Sequence, residues 1–217
     1  MAVMIEVWGD YALFTRPEMK VERVSYDVMT PSAARGLLEA VYWHPGMKWI
    51  VDRIYVLNPI EFTNVRRNEV SEIVSASKVR SVMSGKSDAL YISTQECIQQ
   101  RASMILRNVH YVIEAHFEMT EKASLQDNPG KFSDIIRRRL EKGQCYHQPY
   151  FGTREFPARF RAWKGGEPQT AYPNEKRELG FMLYDMDYSD QENICPQFFR
   201  AVLENGVLDV RNCEVFK

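Results

Sequence analysis

The chain has 217 residues, is 45% hydrophobic and 12% aromatic, and carries a formal net charge of −1. That length suits one domain or two small ones, with enough apolar residues for a sizeable core. No apolar run is long enough for a membrane helix. The opening Met1-Ala-Val-Met-Ile-Glu6 lacks the basic-then-apolar order of a secretory leader. Cys97, Cys145, Cys195 and Cys213 are widely spaced and form no CxxC pair. Reduced thiols in a cytoplasmic protein are expected, not disulfides or a zinc site.

In chain order, Val3, Ile5 and Val7 alternate with Met4, Glu6 and Trp8 and share one face, which predicts a half-buried strand. A charged loop follows from Arg16 to Glu22. Thr30-Pro31 then reads as a helix cap followed by proline at the first helical position. Ala34, Leu37, Leu38, Val41 and Tyr42 recur with helical spacing and form one apolar face. His44-Pro45-Gly46 ends that helix. A second strand is predicted at 49–57. Residues 60–66 form a third, or extend the second through a bend at Pro59. Residues 67–103 are polar and mixed, and read as an inserted hairpin or mobile segment.

The clearest pattern spans 108–119. There Val109, Tyr111, Ile113, Ala115, Phe117 and Met119 alternate with Asn108, His110, Val112, Glu114, His116 and Glu118. Phe132, Ile135, Ile136 and Leu140 mark a helix near 132–142, flanked by Arg137, Arg138 and Arg139. Strand-like runs at 180–184 and 207–210 surround a predicted short helix at 196–204. The order β-α-β-(β)-β-α-β predicts an α+β fold, a ferredoxin-like or RRM-like antiparallel sheet with helices on one face. Residues 1–145 would form that domain and 146–217 a β-rich extension of the sheet.

Charge is uneven along the chain. Residues 131–164 hold nine basic and three acidic residues, whereas 167–217 hold five basic and ten acidic. Such asymmetry fits a basic face for an anionic ligand as well as a patchwork solvated surface. The open face of an antiparallel sheet is a common RNA platform.

Three stretches resemble the Cas-five family of the RAMP superfamily, in its type I-C (d) branch. They are Glu6-Val-Trp-Gly-Asp-Tyr-Ala-Leu-Phe-Thr-Arg-Pro-Glu18, continuing into Val21-Glu-Arg-Val-Ser-Tyr-Asp-Val28; Thr30-Pro-Ser-Ala-Ala-Arg-Gly-Leu-Leu-Glu-Ala-Val-Tyr-Trp-His-Pro45; and Gln148-Pro-Tyr-Phe-Gly-Thr-Arg-Glu-Phe-Pro157. The resemblance implies a repeat-specific endoribonuclease that cuts precursor CRISPR RNA. Such a protein stays on the 5′ handle beside the Cas-seven backbone and Cas-eight large subunit of the surveillance complex. It implies metal-independent chemistry without a cofactor, in which the 2′-hydroxyl attacks the adjacent phosphate and leaves a 2′,3′-cyclic phosphate. The alternative is an architectural subunit that binds the handle without cutting.

That reaction needs a base, an acid, and positive charge on the phosphorane. The resemblance puts catalytic roles on Tyr42 and His116. It departs at Ala115, where the family pattern has lysine; Lys48, Lys122 and Arg107 are candidate replacements. On periodicity alone, Tyr42 is a core tyrosine and His116 an exposed strand histidine. His44, Lys48, His110, Arg137, Arg138, Tyr150, Arg154, Arg159 and Arg161 are the expected RNA contacts. Gly152 lets backbone approach a phosphate, or serves only a turn with positive φ.

Overall fold

The computed structural model describes residues 2–86, 90–190 and 192–217. It divides into two compact units, Met1–Thr63 with Met104–Lys217, and Asn64–Ser103. The chain is α+β, mostly antiparallel sheet with few helices.

In the larger unit, strand β1 (Val3–Ala12) leads through the two-residue strand β2 (Arg23–Val24) to helix α1 (Pro31–Val41). Thr30 caps α1 as its spacing predicts. Its Oγ1 accepts from the Ala33 N–H at 3.2 Å, and Pro31 occupies the position where no N–H is needed. Strand β3 (Met47–Val56) follows, then β4 (Phe62–Val70), a strand separate from β3. The smaller unit carries most of β4, helix α2 (Ala76–Met83), and the start of β5 (Ile98–Met119), which pairs with β4. The expected insertion therefore holds a strand pair and a helix; residues 87–89 lie outside the described residues.

Helix α3 (Pro129–Lys142) is followed by β6 (Arg159–Ala162), β7 (Lys176–Asp187), β8 (Cys195–Glu204), β9 (Val207–Asp209) and β10 (Val215–Phe216). The sheet runs β10-β8-β9-β3-β5-β1-β6, and β7 pairs with β8. The C-terminal strands thus extend the sheet through β9 on β3. The helix predicted at 196–204 is instead β8. Phe199, Ala201 and Leu203 bury alternately, which is period 2. Apolar residues at 198, 199, 202 and 203 had also satisfied a helical spacing.

The two faces of the sheet differ. Leu37, Leu38 and Val41 of α1 and Phe132, Ile136 and Leu140 of α3 join one core with Ile5, Val7, Val51, Ile54, Ile113 and Ala115. The opposite face carries Glu6, His110, Glu114 and His116, the residues between those core positions. In β3 a bulge between Val51 and Arg53 adds one residue against β5. It resets the alternation, so Ile50 pairs with His116 and Arg53 with Glu114, all on the polar face. Without the bulge Arg53 would point into the core.

Candidate functional site

The clearest concentration of chemistry lies where α1 ends. Tyr42 caps the helix with extended backbone, and its N–H still donates to the Leu38 carbonyl. Its carbonyl accepts from the Trp49 indole at 2.9 Å, which pins the turn to β3. The Tyr42 ring is 7% exposed and packs 6.1 Å from Phe132 of α3. Among the described residues its hydroxyl has no hydrogen-bond partner, and it is not one of the sealed polar atoms. The ring is thus held in the core, and its oxygen is not fully sealed from solvent. Burial raises the phenol above its ordinary pKa, with Arg139 pulling the other way, so the hydroxyl keeps its proton at neutral pH.

His44 stands beside it, its ring 4.9 Å from Phe132. The Gly46 N–H donates to His44 Nδ1 at 3.0 Å. An accepting Nδ1 places the proton of the neutral ring on Nε2, leaving a donor for a ligand. Two cations complete the corner. Arg139 lies over the Tyr42 ring at 5.0 Å and donates to the Val41 carbonyl. Lys131, in the first turn of α3, pairs with Asp127 at 2.8 Å and acts electrostatically on the phenol. Lys131 and Ser124 hold the Asp127 carboxyl well below the usual range, so it stays charged. Phe132, shared by Tyr42 and His44, makes this one site.

Tyr42 and His116 are not brought together. Trp49 and Phe117 pack edge to face on the helix side of the sheet, and Phe117 meets Phe132. His116, one residue away, points to the opposite face. There its Nδ1 lies 2.8 Å from Asp52 Oδ2, in the bulge. A carboxylate only accepts, so Nδ1 carries a proton and in the neutral ring Nε2 is a lone pair, with the side chain 35% exposed. Ala115 is fully buried, and a lysine there would enter the core. Arg107 pairs with Glu61 at 2.9 Å. Lys122 follows β5, its N–H on Thr120 Oγ1.

The expected RNA contacts separate into engaged and free groups. Glu6, 4% exposed, accepts from His110 Nε2 at 2.8 Å and from two nitrogens of Arg161. Arg161 also lies 5.2 Å over Trp8. Arg137 pairs with Asp134, and Lys48 is exposed opposite Glu118. Arg138, Arg154 and Arg159 make no ion pair among the described residues. Tyr150 lines two shallow hollows. Gly152 has φ +81°, and a Cβ there would fall 1.9 Å from the Leu13 carbonyl oxygen, so close packing demands the glycine.

The pairing of Glu6 has a measurable consequence. The Arg161 hydrogen bond, and then His110, hold its carboxyl below the ordinary glutamate value against the desolvating effect of burial. A depressed native pKa stabilises the fold above the unfolded value, and this is lost as pH falls through the native one. Glu6→Gln should cost about 2 kcal/mol near neutral pH and flatten the acid limb of stability. Chemical denaturation at several pH values measures both; an unchanged acid limb would mean that Glu6 is not linked to folding.

Sequence reasoning named Tyr42 and His44 but missed Asp52, Asp127, Lys131 as a site cation, and Arg139 as a partner of Tyr42. The only local signal was Asn128-Pro129-Gly130 before Lys131, a helix start that places Lys131 in the first turn. Asn128 Oδ1 accepts the Lys131 N–H at 2.9 Å.

The fold is that of a small α+β protein in which a tyrosine hydroxyl, an imidazole, Arg139 and the Lys131–Asp127 pair gather where α1 ends. A family model described as CRISPR-associated protein (Cas_Cas5) matches residues 2–211, and the chain belongs to that family. It is 51% identical over 213 residues to the CRISPR pre-crRNA endoribonuclease Cas5d of Mannheimia succiniciproducens, covering 96% of this chain and 94% of that one. To the Thermus thermophilus protein of the same name it is 38% identical over 223 residues, covering 95% and 90%. A solved structure described as a CRISPR-associated protein superposes with a TM-score of 0.72 at 23% identity, covering 100% and 97% of the chains. A chain of a CRISPR RNA-guided surveillance complex superposes at 0.52 and 12% identity, covering 100% and 89%. These two share its fold.

Proposed function

We propose that this chain is a CRISPR pre-crRNA endoribonuclease that cuts repeat RNA at the Tyr42–His44 corner. Its 51% identity, over nearly the whole of both chains, to a protein of that name carries the reading. The corner supports its place. A 2′-hydroxyl gives its proton to water as its oxygen attacks the adjacent phosphorus, the bond to the 5′-oxygen breaks as the Tyr42 hydroxyl protonates it, Tyr42 regains a proton from water, and a 2′,3′-cyclic phosphate and a 5′-hydroxyl result. Arg139 and Lys131 act on the charge of the phosphorane, while His44 Nε2 donates a hydrogen bond to one of its oxygens. No metal takes part in this scheme. The order β3-β5-β1-β6, with α1 after β1 and α3 after β5, supports a ferredoxin-like core that draws its last strand, β6, from beyond residue 145, with β7 to β10 as its β-rich extension. After the cut the protein keeps the 5′ handle, in the cytoplasm, beside the Cas-seven and Cas-eight subunits of a type I-C complex.

A second reading rests on the Asp52–His116 pair, whose Nε2 lone pair can act as a general base. It puts the cut on the polar face of the sheet.

The deciding experiment incubates the protein with its repeat hairpin in EDTA, beside a substrate with a 2′-deoxy sugar at the cut. Cleavage that needs the 2′-hydroxyl and leaves a cyclic phosphate is expected. Tight binding without cleavage would instead make the chain an architectural subunit.

A further inference from the structure

We infer that Tyr146, His147 and Tyr150 form a stacking track for single-stranded RNA, running from the Tyr42–His44 corner to Arg154. The inference rests on the ribonuclease reading and adds how the strand beside the cut is held. The segment starts at the corner, because the Tyr146 and His147 N–H groups both donate to the Ala40 carbonyl, at 2.9 and 3.4 Å. Ala40 is two residues before Tyr42, so the end of α1 fixes the track and the corner together.

The rings follow one another. Tyr146 and His147 centroids are 5.8 Å apart with planes at 80°, edge to face, and His147 and Tyr150 are 6.5 Å apart with planes tilted by 39°. Tyr146 is 81% exposed. An exposed tyrosine whose backbone is held offers a π-face to a base, at the cost of ordering only its own side chain. Beyond the rings, His147, Gln148, Tyr150 and Arg154 line a hollow of about 380 Å³. Arg154 has no ion-pair partner among the described residues, so its guanidinium is available to a phosphate. Tyr150 also lines a second hollow, together with Leu13, Thr15, Ala33, Gly36 and Leu37 among others, without a charged side chain. Tyr150 thus borders both a cationic hollow and an uncharged one. That suits a nucleotide with its phosphate toward Arg154 and its base toward α1.

Because every base has a π-face, such a track binds with little sequence preference, and selectivity is left to the repeat hairpin. Direct hydrogen-bond reading of bases would behave differently.

The test measures affinity of the intact protein for its single-stranded 5′ handle, and for a scrambled handle of equal length, by anisotropy at fixed salt. Tyr146→Ala and Arg154→Ala should each weaken binding about tenfold for both RNAs. Tyr146→Phe should restore wild-type affinity, because the ring and not the hydroxyl is used. Tyr146 is so exposed that its removal leaves the fold intact, which a thermal melt verifies. Affinities within twofold of wild type for both alanine variants, with cleavage retained, would overturn the track and leave the ribonuclease reading standing. Failure of Tyr146→Phe to restore binding would overturn stacking. A wild-type protein that neither binds nor cuts the repeat would remove the ribonuclease reading itself.

Discussion

Replacing Tyr42 by phenylalanine or His44 by alanine is expected to slow repeat cleavage by about 10²- to 10⁴-fold, with repeat binding nearly intact. That range is typical for a group that transfers a proton in the transition state, as Tyr42 does, and its lower part for a hydrogen-bond donor to the developing charge, as His44 is. Tyr42→Phe removes one oxygen and leaves the ring on Phe132, so the core is spared. Because that oxygen has no partner among the described residues, its loss strands no protein group. His44→Ala removes the donor that the Gly46 N–H orients. His116→Ala serves as the contrast. If the corner cuts, the His116 variant keeps its rate, since His116 faces the other side of the sheet. Should His116→Ala lose activity while the Tyr42 and His44 variants keep it, the cut belongs to the Asp52–His116 face. Single-turnover rates at saturating RNA separate these outcomes from changes in affinity.

Gly152→Ala is expected to destabilise the protein by about 4 kcal/mol, an exceptional loss for one methyl group. Two independent costs meet there. The backbone has φ +81°, where an L side chain is strained, and the added Cβ would fall 1.9 Å from the Leu13 oxygen and 2.7 Å from its carbonyl carbon. Relief requires this loop to withdraw from β1. The Leu13 N–H donates to the Phe151 carbonyl at 3.1 Å, and Phe151, fully buried, packs on Phe14 and Tyr111. Withdrawal would break that bond and open the core. Denaturant unfolding checks the figure; a loss below about 1 kcal/mol would show that the loop yields freely. RNA affinity of whatever folded variant remains is a separate readout, since the glycine acts on Leu13.

Elements whose cause is local are legible in the residues alone. The Thr30 cap, Pro31 and the Ala34-Leu37-Leu38-Val41 stripe specify α1. The alternation from Val109 to Ala115 specifies the centre of β5 and which of its side chains face the core. The three family stretches, read in order, pointed to the family. The segment 196–204 failed because its apolar residues fit both a helical and an extended period, and only pairing with β7 and β9 selects the strand. The candidate site divides in the same way. Tyr42 and His44 are legible at the end of a helix, where an aromatic and an imidazole follow the last apolar turn. Their partners are not, because Phe132, Lys131 and Arg139 lie about ninety residues further on and meet them only where α3 packs beside α1. The alternation of β5 correctly set His116 opposite Ala115. It could not say that Tyr42 belongs to Ala115's side, since a helix end acquires a face only by docking on the sheet. Sequence spacing fixes which face of its own element a side chain takes; tertiary packing decides which faces meet, and a catalytic site is made of meeting faces.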